Sequence, residues 1–142
     1  MYKSTKTLVT ARHILSIGNH QEISAALKAF CEEKGILSGA VYGLGAIKGM
    51  TLRFLDPATK KYVDKTFDNQ MEIANLTGNI SQKDGQVYLH LHVTCCGSDY
   101  KAVGGHLLCA TVNGACELVV EAFDARPGRK YDNETGLNLY DF

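Results

Sequence analysis

Hydrophobic residues follow a helical spacing in one segment of the chain only. From Ile23 to Phe30, apolar residues recur at positions i, i+3, i+4 and i+7, the spacing of one face of an amphipathic helix. Gly35 follows Lys34 and is expected to end the helix, because glycine readily takes the left-handed conformation found at helix C-termini. Upstream, Asn19 and the glutamate three residues later match a capping box. We therefore predict one helix, from Ile23 to about Lys34, with Asn19 as its N-terminal cap.

Elsewhere, apolar residues alternate with polar ones or form short runs between turn residues, which is typical of strands. Turn residues stand at 56–59, 83–85 and 113–114, and the last two sets predict hairpins. The predicted strands are 7–12, 40–47, 50–54, 62–67, 71–80, 87–94, 103–108 and 116–123, with a short one around Leu137 and Leu139. One helix among many strands predicts an α+β fold, in which an antiparallel sheet of about six to eight strands carries the helix on one face.

The length and composition agree with one globular domain over residues 1–142. The chain has 142 residues, of which 45% are hydrophobic and 21% charged. No apolar run approaches the ~20 residues that span a bilayer, so no membrane segment is expected. The five cysteines are odd in number and form no Cys-x-x-Cys pair, which favours reduced thiols. We therefore expect a cytoplasmic protein.

The charge balance argues against DNA binding by this chain alone. Fifteen Lys and Arg residues are matched by fifteen Asp and Glu residues, so the formal net charge is zero. A domain that binds duplex DNA usually carries a basic surface, because phosphate contacts supply much of the affinity.

Two histidines share one face of the most regular predicted strand. In the segment 87–94, apolar residues take the odd positions and polar residues the even ones. His90 and His92 therefore point away from the core together. If this strand forms a hairpin with 103–108 that is symmetric about Asp99, His106 lies directly opposite His92, where Cβ atoms are about 4.5–5.5 Å apart. The same register keeps the leucines on the core side.

Three converging imidazoles suit zinc or a similar divalent ion. Three protein ligands leave a fourth coordination position for water or substrate, as in catalytic zinc sites. The sequence thus predicts a metal site formed by His90, His92 and His106. The alternative is a hydrogen-bonded polar face that binds nothing. The two other histidines, His13 and His20, are interpreted as ordinary surface or cap residues.

Two carboxylates could join this face if 113–114 forms a hairpin loop. In that register Glu121 faces His106, and Glu117 points to the same side of the sheet. A carboxylate there would orient an imidazole or act as a general base. The simpler interpretation, which we favour, is that both carboxylates are solvated on an exposed strand face.

Several motifs, taken in order, resemble those of the plants-and-prokaryotes-conserved (PPC) domain. They are Gly-Leu-Gly-Ala-Ile at 43–47, Glu-Ile-Ala-Asn-Leu-Thr-Gly-Asn-Ile at 72–80, His-Leu-His-Val at 90–93 and Gly-Gly-His-Leu at 104–107, followed by Glu117. The resemblance runs from about Arg12 to Leu139. The His-x-His pair followed by Gly-Gly-His is its most specific part.

The resemblance implies an antiparallel sheet with a flanking helix, assembled as a homotrimer. It also implies that His90, His92 and His106 form a metal-binding unit. Plant members carry this domain beside AT-hook motifs, and bacterial members are often described as DNA-binding. This chain departs from the plant pattern, because 126–129 reads Arg-Pro-Gly-Arg instead of the Arg-Gly-Arg-Pro core of an AT-hook.

Two functions remain open at this point, and a purely structural trimer with vacant histidines is a third, less favoured one. The first is a metal-binding homotrimer, with zinc as the favoured ion and a DNA-associated or regulatory role that is implied by the resemblance. The alternative is a metal-dependent enzyme, of hydrolase or lyase type, that acts on a small molecule at the open coordination position.

Overall fold

The structure is a computed structural model and describes residues 2–142. This part of the chain forms one helix and seven strands, in the order β1 (Val9–Ile17), α1 (Ile23–Lys34), β2 (Gly39–Asp56), β3 (Lys61–Lys83), β4 (Gln86–Cys96), β5 (Ala102–Phe123), β6 (Gly128–Asp132) and β7 (Leu137–Asp141). The architecture is α+β with an antiparallel sheet, as the sequence predicts. Within the described residues, no helix is long and apolar enough to cross a membrane.

The helix has the predicted bounds but a different N-terminal cap. Gly35 closes the C-terminus in the left-handed region, with φ of 66°. At the N-terminus, the carboxylate of Glu22 accepts hydrogen bonds from the backbone amides of Ser24 and Ala25, at 2.9 and 2.6 Å. Asn19 is therefore not the cap. Its side chain instead accepts from the amide of Gly114, at 3.0 Å, which ties the loop before the helix to β5.

Three of the predicted strand breaks are absent. The segments 40–47 and 50–54 form one strand, β2, which stays paired across an irregularity between Lys48 and Met50. The segments 62–67 and 71–80 likewise form one strand, β3. The predicted hairpin at 113–114 is wrong, because β5 runs straight through these residues. Both halves of β5 pair with β2 and not with each other, and 113–114 lie where the β2–β5 register shifts.

The main sheet closes on itself. Its strand order is β1-β5-β2-β3-β4, and β4 also pairs with β5. The strands β5, β2, β3 and β4 thus form a closed ring, and the contact between β4 and β5 completes it. Gly78 on β3 permits a close approach within this ring, because a Cβ atom there would overlap the carbonyl oxygen of His90.

The core fills the inside of the ring and the space under the helix. The helix contacts β4 and β5 and buries Ile23, Leu27 and Cys31. All five cysteines are free thiols. Burial raises the pKa of the Cys95 and Cys116 thiols to about 11. These two residues are therefore core side chains in their neutral form.

Candidate metal centre

The predicted register of the two histidine-bearing strands is confirmed. His92 on β4 lies directly opposite His106 on β5. Leu91 and Leu107, the neighbours of these histidines, are 2% and 4% exposed and point into the core. Because side chains alternate along a strand, the histidines point outward. His90 joins them from two residues earlier on the same strand.

The three imidazoles meet at one place on the outer surface of the ring. Their ring centroids are 5.1–5.5 Å apart, and one nitrogen from each lies within 4.8 Å of the other two. Ligand nitrogens around a tetrahedral zinc ion stand about 3.3 Å apart, given Zn–N bonds of about 2.0–2.1 Å. The nitrogens would have to move closer by up to about 1.5 Å to reach that spacing. The donor set, made only of imidazole nitrogens, therefore fits a divalent ion such as zinc.

Burial keeps two of the histidines neutral near pH 7. It lowers the pKa of His106 to about 4, and the neighbouring His90, His92 and Arg53 act in the same direction. The pKa of His90 is also lowered, first by burial and then by Arg129 and His92. A neutral imidazole is the form that binds a metal.

Arg53 on β2 lies beside the cluster, directly opposite His106. Its guanidinium forms a double ion pair with Asp64 on β3, with two N–O distances of 2.8 Å. It also stacks on the ring of Tyr62, 4.7 Å from the ring centroid. Arg53 therefore has a counter-ion within the protein.

Arg129 on β6 has no such charged partner among residues 2–142. Its Nε donates to Ser81, its Nη1 to the backbone oxygen of Asn138 and its Nη2 to Asn79, at 2.7, 2.8 and 2.7 Å. The guanidinium also lies over the rings of Tyr88 and Tyr140, 4.8 and 4.3 Å from their centroids. All five contacts are with neutral groups. Asn79 is the cross-strand neighbour of His90, so this cation is fixed beside the cluster.

A cavity of about 310 Å³ lies over the histidines and contains both arginines in its lining. Its walls come from the end of the β2–β3 hairpin, with Phe54, Leu55 and Tyr62, and from β7, with Leu137 and Leu139. Among the described residues no carboxylate lines this cavity. The sequence did not indicate Arg53 or Arg129 as site residues, because only the closed ring and the β6–β7 hairpin bring them to the histidines.

The structure does not bring the two predicted carboxylates to the histidines. Glu121 lies opposite Arg12 on β1 and forms an ion pair with it, at 2.6 Å. Glu117 lies opposite Ser16. The prediction that Glu121 faces His106 is wrong, because it depended on the hairpin that does not form.

The comparisons with solved structures agree with this fold. A "putative dna binding protein" from Bacteroides thetaiotaomicron is 58% identical, with a TM-score of 0.91, covering 95% of this chain and 94% of that one. A metal-containing protein from Archaeoglobus fulgidus is 32% identical, with a TM-score of 0.94, covering 99% and 100%. A plant- and prokaryote-conserved (PPC) protein from Pyrococcus horikoshii is 23% identical, with a TM-score of 0.92, covering 99% and 98%. None of the curated proteins matches the chain.

The family model of the Plants and Prokaryotes Conserved (PCC) domain matches residues 5–124. The matched segment contains the histidine cluster, the helix and β1 to β5, and ends before the β6–β7 hairpin that carries Arg129. With most of the chain matched, and with the fold shared by the solved structures above, the chain belongs to the Plants and Prokaryotes Conserved (PCC) domain family.

Proposed function

We propose that this chain binds one divalent metal ion, with zinc favoured, through His90, His92 and His106, and that the ion faces a small-molecule pocket. The observation that carries the proposal is the convergence of three imidazole nitrogens within 4.8 Å of one another. Two of these histidines are kept neutral by burial. The relative from Archaeoglobus fulgidus, described as metal-containing, supports the same conclusion.

Elemental analysis of protein purified without added metal and without a histidine tag tests this proposal. We expect about one equivalent of a divalent ion per chain, or one equivalent of zinc after reconstitution. The matched control is His20→Ala, because His20 lies outside the cluster. Zinc occupancy near zero that added zinc does not restore would contradict the proposal.

The cavity favours a small-molecule role at the open coordination position. Three protein ligands leave that position free in catalytic zinc sites, and pockets of a few hundred Å³ are the usual size for small ligands. If the chain is an enzyme, it is a metal-dependent hydrolase or lyase that acts on a small molecule in this cavity. The walls of the cavity contain no carboxylate among the described residues, and the three histidines are taken up as metal ligands. The hydroxyl groups of Tyr62 and Tyr88 are therefore the protein groups in the lining that could take part in proton transfer.

We further propose that the chain assembles as a homotrimer, as the resemblance to the family implies. An apolar strip on the outer face of the sheet supports this. Ile14 and Tyr42 both lie opposite Val119 in the register of β5 with its two neighbours. Ile14 is 90% exposed, and Leu44 near Tyr42 is 55% exposed. An uncovered apolar strip of this kind is typical of an interface with another chain.

A DNA-associated role is the second candidate, favoured by the description of the relative from Bacteroides thetaiotaomicron. The formal net charge of zero weakens it for this chain acting alone. Five of the basic side chains are also paired with carboxylates: Arg12, Lys28, Lys34, Arg53 and Lys101. Contacts with phosphate would have to compete with these ion pairs.

A further inference from the structure

Arg129 is a half-buried cation for which the described part of the chain provides no counter-ion. Its three hydrogen bonds go to neutral oxygens of Ser81, Asn138 and Asn79, and it takes part in no ion pair within the described residues. A guanidinium has five N–H groups, so two remain without an acceptor in the part of the chain that the structure describes. An unpaired charge away from bulk water is costly unless an opposite charge meets it.

The nearest comparable group, Arg53, is already paired. Its double ion pair with Asp64 already supplies it with a counter-ion. A divalent ion on the three histidines would add two positive charges to the single charge of Arg129. The cavity would then be strongly positive, with no carboxylate in the lining that the structure describes.

The walls of the cavity limit what kind of anion fits. Phe54, Leu55, Leu137 and Leu139 present apolar surface, which suits a hydrocarbon body. Inorganic phosphate, by contrast, is usually held by several backbone amides at a glycine-rich loop or a helix N-terminus. The residues that line this cavity belong to strands and strand connections, and α1 contributes none of them.

We propose that the cavity binds a short organic carboxylate, and that Arg129 is the residue that recognises its carboxylate group. The hydrocarbon part lies against the walls around Leu137 and Leu139. This proposal rests on the metal site proposed above, because the ion provides the other positive charge. The three hydrogen bonds and two aromatic contacts of Arg129 then hold the guanidinium in place before the ligand arrives, which lowers the cost of binding.

Calorimetric titration of zinc-loaded protein with butyrate, acetate, butyramide and inorganic phosphate tests the proposal. We expect butyrate to bind about 15-fold more tightly than acetate, at about fourfold for each of two buried CH₂ groups. Butyramide, which has the same shape without the charge, is expected to bind at least tenfold more weakly than butyrate. Butyramide equal to butyrate, or phosphate tighter than butyrate, would overturn the proposal.

Two variants test whether Arg129 makes the contact with the carboxylate group. In Arg129→Gln we expect butyrate affinity to fall at least tenfold while the zinc content stays at the wild-type value. The control is Arg12→Gln, which removes a charge on β1 that is not part of the cavity lining, where Arg12 pairs with Glu121, and should leave butyrate binding unchanged. Equal losses in both variants would contradict a local contact.

Replacing Arg129 also removes hydrogen bonds that hold the β6–β7 hairpin. A second pair of variants therefore keeps Arg129 and changes Leu139. Leu139 lines the cavity and is 42% exposed, so polar replacements there are tolerable for the fold. Leu139→Glu places a carboxylate in the cavity and should abolish butyrate binding, whereas Leu139→Gln should retain most of it. Similar affinities in the two variants would contradict the proposal.

The zinc content separates the two proposals. Wild-type protein that cannot hold zinc contradicts the metal site itself. Protein that holds one zinc per chain but does not bind butyrate contradicts only the carboxylate proposal.

Discussion

His92 and His106 face each other across the contact between β4 and β5 that closes the ring. The two residues are 14 positions apart in the sequence, and this strand contact brings them to one place. Any change that opens the ring there therefore separates the histidines. Fold closure and the candidate metal site depend on the same backbone contact.

Replacing His92 by Ala is expected to remove most of the zinc. Structural zinc sites with four ligands bind with about 10–16 kcal/mol, or roughly 3–4 kcal/mol per ligand, which corresponds to a loss of affinity on the order of 100-fold or more. His92 is exposed, so the variant should fold normally. Competition with a zinc-chelating dye measures the affinity, with His20→Ala as control. An unchanged affinity in His92→Ala would contradict the ligand assignment.

Gly104 and Gly105 precede His106, and they should respond differently to substitution by alanine. A Cβ atom at Gly104 would stand 2.7 Å from the carbonyl oxygen of Val93 on the partner strand. A Cβ atom at Gly105 would meet nothing closer than Leu52, at 3.8 Å. We expect Gly104→Ala to lower the free energy of unfolding by about 1–3 kcal/mol, the usual cost of overpacking.

Gly105→Ala is the matched control for this substitution and should change stability little. Urea denaturation measures both variants. We also expect Gly104→Ala to weaken zinc binding, because β4 must move away from β5 to admit the methyl group. Equal stabilities of the two variants would contradict this account of the ring closure.

The stability of the zinc-free protein should fall as the pH is lowered from 7 to 5. The pKa of His106 is about 4 in the folded chain, against an ordinary value of 6.5. Between these two values the unfolded chain takes up a proton that folded His106 does not, so the free energy of unfolding decreases as the pH falls. Above pH 6.5 the imidazole of His106 is neutral in both the folded and the unfolded chain. Its contribution to the free energy of unfolding then no longer changes with pH.

Urea titrations of zinc-free protein at pH 7 and pH 5 measure this effect. His106→Asn should lose less stability between the two pH values than the wild type, whereas His20→Asn should behave as the wild type does. If the wild-type protein is more stable at pH 5 than at pH 7, the predicted direction of the pH dependence is wrong.

The proposed homotrimer is expected to depend on the apolar strip that contains Ile14. Light scattering should give a mass of about three times the 15.5 kDa chain. Ile14→Asp should shift the mass toward that of one chain, because a carboxylate cannot be buried there without a partner. Tyr100 is 89% exposed and lies elsewhere, in the turn between β4 and β5, so Tyr100→Asp is the control. A wild-type mass of one chain would refute the trimer.

Duplex DNA is expected to bind weakly or not at all to this chain alone. The formal net charge is zero, whereas affinity for DNA grows with the number of phosphates that Lys and Arg neutralise. Fluorescence anisotropy over a range of salt concentrations measures the binding. Submicromolar affinity near physiological salt, with a steep dependence on salt, would restore the DNA-associated role as the leading candidate.

Local patterns in the sequence were sufficient for the helix and for the face on which the histidines lie. The bounds of α1 follow from a spacing within one segment, and the outward direction of His90 and His92 follows from strict alternation. The opposition of His92 and His106 was also predictable, because a short turn around Asp99 leaves few registers open. All these features depend on residues that are close in the sequence.

The hairpin predicted at 113–114 failed for a physical reason that the sequence does not contain. Asn-Gly pairs favour tight turns, yet here β2 offers a long partner that pairs with β5 on both sides of these residues. Hydrogen bonds with a neighbouring strand outweighed the local turn preference. The predicted positions of Glu117 and Glu121 were wrong for the same reason, since they were derived from the register of that hairpin.

The sequence by itself determined the helix, the α+β class and the three candidate metal ligands. These features follow from hydrophobic periodicity and short turns, which depend only on residues that are close in the sequence. Only the tertiary structure decided what surrounds those ligands. Arg53 reaches the cluster because β2 pairs with β5, and Arg129 reaches it because the β6–β7 hairpin bonds to β3. Those contacts join residues dozens of positions apart, and the closing of the ring, which no single segment specifies, brings them together.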